Sequence, residues 1–429
     1  MHLKRVSIHN YKSLRNVTLE PGAFTVLVGP NAAGKSNCAD ALQFLSEVYT
    51  HGLEIAVARK GGFENIAFRK LRRTKASIDF SIEIEVPGTE LRSILLRRRR
   101  PGIDKERFRI THTFSISTPD TGIKAEYTVD QERFVARLCL DTPLAPGYKE
   151  VFEMGAQRGE NPTLKEDSLG GFVGDAGRYL SEYQEFFADQ SSREQELFLN
   201  SLPLRNVFFS AFQRAMSGVS VYRISPRASR NPGVPTPNPV LNETGDNLPA
   251  LVDWLQRKHP RKWKEVLAGM RDVLPALTDV SVQYLHTKAL GLFFEEETAG
   301  RAWSADEVSD GTIQTLALLV AAADPRTTLL VVEEPENSVH PWIVRVLIKN
   351  FRQLTGVGSV VVTTHSPVVV DMLRPDEMWV VSRTEGETHV HSLVSLVPGL
   401  QSEWEEGKYK LSDFLDAGFV PRAVPGGQE

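Results

Sequence analysis

Residues 29–36 read Gly29-Pro30-Asn31-Ala32-Ala33-Gly34-Lys35-Ser36, an uninterrupted G-x-x-x-x-G-K-[ST]. The pattern constrains the chain because its glycines let the backbone curl and point successive N–H groups at a chain of phosphates. Its lysine then reaches the β- and γ-phosphates, and its serine hydroxyl stands where Mg²⁺ binds. The flanks agree. Residues 24–28 are a short apolar run, read as a buried strand feeding the loop, and 37–48 predict a helix whose N-terminus faces the phosphates. Residues 29–37, ending on Asn37, are therefore the candidate nucleotide-binding loop, with Ser36 also a metal ligand.

Bulk properties narrow the partners. At 429 residues the chain is long for one simple domain. A net charge of −4 supplies no global attraction to nucleic acid, so such contact requires a local patch. Two cysteines, Cys38 and Cys139, are too few for a disulfide framework and fit a reducing cytosol. The N-terminus alternates rather than carrying an apolar signal core, and the longest apolar stretch, 316–323, is too short to span a bilayer. The expectation is a soluble cytoplasmic protein with no membrane partner.

Along the chain, residues 1–150 are expected to form a first lobe. It holds the phosphate loop and an antiparallel β subdomain, the latter read from clean alternation at 76–86 and again at 108–116 and 127–140. Residues 151–245 are expected to be a loop-rich helical insertion. Within it, 154–177 read as loop, 178–216 as helix, and 231–242, with four prolines, as linker. Residues 246–429 form a second lobe opening on two amphipathic helices, at 248–255 and 260–270, followed by strands at 280–285 and 290–294.

The second lobe carries the remaining chemistry. Residues 327–332 are an apolar strand running into Glu333-Glu334-Pro335. Paired acids at a strand end suit a nucleotide hydrolase: Glu333 is assigned to the Mg²⁺ shell and Glu334 to the base that polarises an attacking water. Residues 360–364 form another apolar strand, tipped by His365, which can bond a γ-phosphate or that water. Ser309-Asp310-Gly311-Thr312 precedes an apolar helix at 313–323. Ser309 reads as its N-cap, and Gly311 permits close backbone approach.

Together these pieces resemble the ABC-type ATPases of the RecF/SMC group, and more closely the stand-alone bacterial AAA-family ATPases and the ATPase part of the overcoming-lysogenisation-defect nucleases. The resemblance rests on residues 8–14, 29–36, 309–312, 329–341 and 360–367, in the family order; 87–240 match loosely. It implies an α/β P-loop NTPase, an ABC-type ATPase head with mixed sheet, antiparallel β subdomain and helical insertion. It implies ATP and Mg²⁺ as cofactors, and it places Lys12 and Ser13 near the nucleotide. It also makes Ser309-Asp310-Gly311 the signature that meets the γ-phosphate of ATP held by a second copy. His340 falls at the D-loop position crossing that dimer, and His365 is the switch histidine. The chain departs from transporter ATPases in having Glu333 where they carry Asp and in lacking their full signature. No glutamine is assigned to the Q-loop.

The implied mechanism is a homodimer glued by ATP and loosened by hydrolysis, acting in DNA repair or anti-phage defence. Arg97, Arg98, Arg99 and Arg100, with a second cluster at 69–75, are the candidate DNA contacts, set against a solvated hairpin tip. No second acidic-strand system follows His365, so a nuclease, if one is used, is expected on a separately encoded effector. The alternatives are a nucleotide-gated scaffold with little turnover, against which Glu334 argues, and a transporter motor, against which the incomplete signature argues.

Overall fold

The computed structural model describes residues 1–68, 77–94, 106–118, 126–142, 145–157, 163–166, 195–201, 207–297, 299–354, 358–407 and 410–416. The chain divides into two compact units, each assembled from separated segments. Residues 1–21, 40–219 and 383–390 form the first, and 22–39, 220–382 and 391–429 the second.

Alternation builds the first unit. Ile78, Phe80, Ile82, Ile84 and Val86 are buried while the residues between them are partly exposed, as period two requires of a strand with one face on a core. The sheet is antiparallel and seven-stranded, ordered β2-β1-β4-β5-β6-β7-β8. Its strands are β1 (His2–Tyr11), β2 (Leu14–Leu19), β4 (Ile78–Pro87), β5 (Arg107–Ser117), β6 (Thr128–Thr142), β7 (Ala145–Gln157) and β8 (Thr163–Glu166). Phe80 stands opposite Phe114, with ring centroids 5.1 Å apart. One polar cluster lies inside this apolar face. Tyr49 Oη is 2.7 Å from His112 Nδ1, and Glu132 Oε1 is 2.9 Å from His112 Nε2. Glu132 also accepts the Phe198 and Leu199 N–H groups at 2.6 and 3.2 Å, so its charge is met by donors despite burial.

Two expectations need correction here. Residues 154–157 and 163–166 are strand, not loop, because β7 and β8 pair with each other through Met154–Leu164 and Gly155–Thr163. Ladder pairing between these two segments holds them extended, a contact that composition does not record. The helix expected over 178–216 is seen among the described residues as Phe198–Ser201 and Val207–Ser217; most of the rest of that span, and residues 158–162 and 167–177, lie outside them.

The second unit follows the opposite pattern. β3 (Phe24–Val28), β13 (Leu329–Glu333) and β14 (Ser359–Thr364) are nearly continuous apolar runs, buried on both faces as parallel strands between helices are. With β9 (Val219–Tyr222) and β15 (Met378–Thr384) they run in the order β15-β3-β14-β13-β9. The β13–β14, β14–β3 and β3–β15 pairs are parallel. A three-stranded antiparallel sheet joins β10 (Leu277–Tyr284), β11 (Leu290–Glu296) and β12 (Trp303–Ser304). The two expected helices are Leu248–Lys258 and Pro260–Val273, the second with its proline in the first turn.

Leu251, Leu255, Met270, Leu316, Leu347 and Phe351 belong to one buried cluster, each side chain contributing about 1.5–3 kcal/mol of transfer free energy. Helix Asp310–Ala323 is buried on nearly every face, which explains why its sequence is apolar all round. Among the described residues no helix is long and apolar enough to cross a membrane.

Register brings the motifs together. Thr364 pairs with Val28 and Glu333 with Thr363, so β3, β14 and β13 end side by side, and the phosphate loop, His365 and the acid pair leave from the same edge. The carboxyl edge of parallel strands is where open α/β sheets bind ligands.

Candidate functional site

The phosphate loop is shaped by left-handed backbone at Ala32 (φ 63°) and Gly34 (φ 112°). Gly34 O then accepts the N–H groups of Asn37 and Cys38 at 3.0 and 3.1 Å, starting helix Lys35–His51. Ala33 N–H closes the loop on Pro30 O at 3.2 Å. Lys35 is buried, and its ammonium donates to Gly29 O at 2.7 Å and Pro30 O at 3.0 Å. Burial pulls its pKa down, while the carboxylates of Glu334, Glu336 and Glu333 oppose that effect, so three acids share the field of one lysine. A helix N-terminus with a lysine at the same spot forms an anion site.

Ser36 donates its hydroxyl to Glu333. Burial pushes the Glu333 carboxyl up, with Glu243 and Glu334 adding to the shift and the Ser36 bond and Arg223 opposing it. A hydroxyl and a desolvated carboxylate in contact are hard oxygen donors that a divalent cation would suit and whose charge it would relieve. Among the described residues no group of three or more His, Cys, Asp or Glu could hold a metal alone. Mg²⁺ does not need one, because it takes one or two protein oxygens and completes its shell with water and substrate phosphates. Ser36 and Glu333 therefore fit it.

Glu334 has a left-handed backbone (φ 46°), a conformation that costs a non-glycine residue about 1–2 kcal/mol. The turn is fixed by Glu334 N–H on Thr363 O at 2.9 Å and Asn337 N–H on Glu334 O at 3.1 Å. Asn337 Nδ2 donates to Glu334 Oε2 at 2.9 Å. His365 Nδ1 lies 3.9 Å from Glu334 Oε1 and 3.7 Å from Glu336 Oε1, in ion-pair range but beyond hydrogen-bond length.

Sequence reasoning missed Glu336. Its Oε1 accepts Thr364 Oγ1 at 2.5 Å and the His365 N–H at 3.2 Å, tying the acid turn to the histidine strand. Its Oε2 is buried with no hydrogen-bond partner. The clue was a third acid two positions past Glu334.

Ser309 caps helix Asp310–Ala323 as expected, accepting Thr312 N–H at 3.2 Å. A Cβ on Gly311 would lie 3.4 Å from Ile343 Cδ1 and 3.7 Å from Ser338 O, so this segment packs beside the turn that precedes helix Pro341–Leu354. His340 starts that helix, its Nδ1 accepting Trp342 N–H at 3.3 Å. Gln314 Nε2 donates to Pro335 O at 3.2 Å, joining helix Asp310–Ala323 to the acid turn.

Lys12 and Ser13, expected near the nucleotide, belong to the first unit. Lys12 pairs with Asp40 at 2.5 Å, and buried Ser13 shares a 2.7 Å hydrogen bond with Thr388 Oγ1. The arginines at 97–100 and the cluster at 69–75 lie outside the described residues. Nearby Arg109 is engaged by Glu83 at 3.3 Å and lies over the Tyr148 ring.

Residues 147–371 match a family model described as "AAA domain, putative AbiEii toxin, Type IV TA system", and residues 1–168 match one described as "AAA ATPase domain". The chain is 25% identical over 178 residues to the DNA replication and repair protein RecF of Nocardioides sp. (strain ATCC BAA-499 / JS614), covering 40% of this chain and 41% of that protein. It is 28% identical over 142 residues to RecF of Arthrobacter sp. (strain FB24), covering 32% and 35%. A 44-residue stretch is 43% identical to the chromosome partition protein Smc of Methanocaldococcus jannaschii, covering 10% of this chain and 4% of that protein. The matched stretches thus span about two fifths or less of these relatives. Among solved structures, an SmcHead bound to the C-winged helix domain of ScpA aligns with a TM-score of 0.46 at 12% identity, covering 91% of this chain and 97% of that one.

Proposed function

The chain belongs to the AAA-domain family whose model spans residues 147–371, among ATPases of the RecF/SMC group, and from that premise we propose that it binds ATP with Mg²⁺, dimerises around it and hydrolyses it. The observation that carries this reading is the convergence at one sheet edge of Lys35, Ser36, Glu333, Glu334 and His365, from three adjacent parallel strands. Lys35 leaves its loop carbonyls for the β- and γ-phosphates. Ser36 and Glu333 would hold Mg²⁺, which would offset charge on the phosphate oxygens. Glu334 accepts a proton from the water that attacks the γ-phosphorus, and His365 orients that water or the γ-phosphate.

The second half of the site comes from another copy. Its Ser309-Asp310-Gly311 meets the γ-phosphate and its His340 crosses the dimer interface, so ATP favours the dimer and hydrolysis releases it. Gly311 supports this. Its φ is not positive, and a Cβ there would meet only ordinary contacts, so the chain's own fold does not require glycine. Glycine is still a poorer helix former than alanine, a cost that close approach of an outside group would explain. The nucleotide state is passed to DNA, through the arginines at 97–100, or to a separately encoded effector such as a nuclease, in repair or anti-phage defence.

Glu334→Gln tests the core of the reading. It should bind ATP, lose hydrolysis by roughly 100-fold or more, and accumulate as an ATP-dependent dimer in sedimentation. Wild-type turnover would remove Glu334 from the base role, and a monomer at saturating ATP would remove the composite site.

A further inference from the structure

Arg230 directs its whole guanidinium at one stretch of chain. Its Nε donates to Ala305 O at 3.0 Å, one terminal nitrogen donates to Val308 O at 2.8 Å, and the other stands 2.7 Å from Asp310 Oδ1. These three acceptors bracket Ser309. The arginine side chain is 16% exposed and the Asp310 side chain 60%, so the cation works from behind while the carboxylate faces outward. Its base is firm. The short helix Pro226–Ser229 is capped by Ser225, and fully buried Ser229 lies against Gly245, where a Cβ would come within 2.5 Å of Ser229 Oγ.

The charge balance poses a question that Arg230 answers. A helix N-terminus attracts a phosphate, and an aspartate in the same first turn counters that attraction with a negative charge of its own. We infer that Arg230 is the positioning residue of Ser309-Asp310-Gly311: it fixes the shape of the segment through two carbonyls and cancels the Asp310 charge, so that the segment can receive a partner copy's triphosphate. This rests on the composite-site reading above. It adds that an arginine some eighty residues upstream in sequence, touching no phosphate itself, sets the strength of ATP-driven dimerisation.

The test is sedimentation with MgATP in the Glu334→Gln background, with thermal unfolding as the check on folding and a fluorescent ATP analogue reporting nucleotide affinity separately. Arg230→Gln keeps a donor for one carbonyl but removes the charge. It should weaken dimerisation about tenfold or more, roughly 1.4 kcal/mol, at parental nucleotide affinity. Arg230→Lys keeps the cation beside Asp310 and should recover most of the loss. A purely structural anchor, held by the guanidinium's bonds to the Ala305 and Val308 carbonyls, would not be rescued by lysine. Parental dimerisation in Arg230→Gln, or Arg230→Lys no better than Arg230→Gln, overturns the inference while leaving the composite site standing. A Glu334→Gln parent that stays monomeric overturns both.

Discussion

A Cβ placed on Gly29 would stand 2.1 Å from the Val381 carbonyl oxygen. The strand carrying Val381 runs parallel to β3, with Val380 level with Val28, so the phosphate loop leaves its strand against a neighbouring backbone. Backbone on both sides leaves nothing flexible to yield. Overpacking of this kind costs about 1–3 kcal/mol or more, and Gly29→Ala should lower the thermal midpoint by roughly 2 °C or more. An unchanged midpoint would mean that β15 is not held where the register places it.

Gly311 makes the opposite prediction. Its surroundings accept a methyl group at ordinary contact distances, and alanine favours helix by up to about 1 kcal/mol. Gly311→Ala should therefore keep or slightly raise the thermal midpoint of the free protein. In the Glu334→Gln background it should weaken ATP-driven dimerisation by about tenfold or more, roughly 1.4 kcal/mol. Full dimerisation by the alanine variant would show that nothing approaches this backbone closely.

The features legible in the sequence are those set by neighbours in the chain. The strand 24–28, the loop and the helix after it follow from an apolar run, two glycines and a lysine–serine pair, and Ser309 declares itself as a cap three residues before the N–H it accepts. The helix expected at 37–48 starts two residues late, because its first turn lies inside the phosphate loop, and ends three residues early. What escaped depends on contacts made far along the chain. Glu336 acquires its role from Thr364 and His365, and Arg230 from carbonyls more than seventy residues away. Neither contact leaves a periodic or compositional trace. The two compact units are likewise invisible in composition, because each is stitched from three separated segments.

Asp40 carries a pH prediction whose sign follows from its partners. It sits on the phosphate-loop helix with Lys12 at 2.5 Å, Lys60 at 2.7 Å and Tyr11 Oη at 2.6 Å. Burial alone would raise its pKa, but the bonds from Lys12, Lys60 and Tyr11 outweigh burial and hold the carboxyl below its ordinary 3.8. A carboxyl lowered in the folded state contributes stability that is complete above the unfolded value and is lost as pH falls through the folded one. Asp40→Asn should cost about 2 kcal/mol at pH 7, the scale of a hydrogen bond to a charged group. The gap between the urea midpoints of the two proteins should hold steady down to the ordinary aspartate range and close below it. A gap of constant width down to the lowest pH at which both proteins still fold would show that the Asp40 carboxylate is not what Lys12 and Lys60 stabilise.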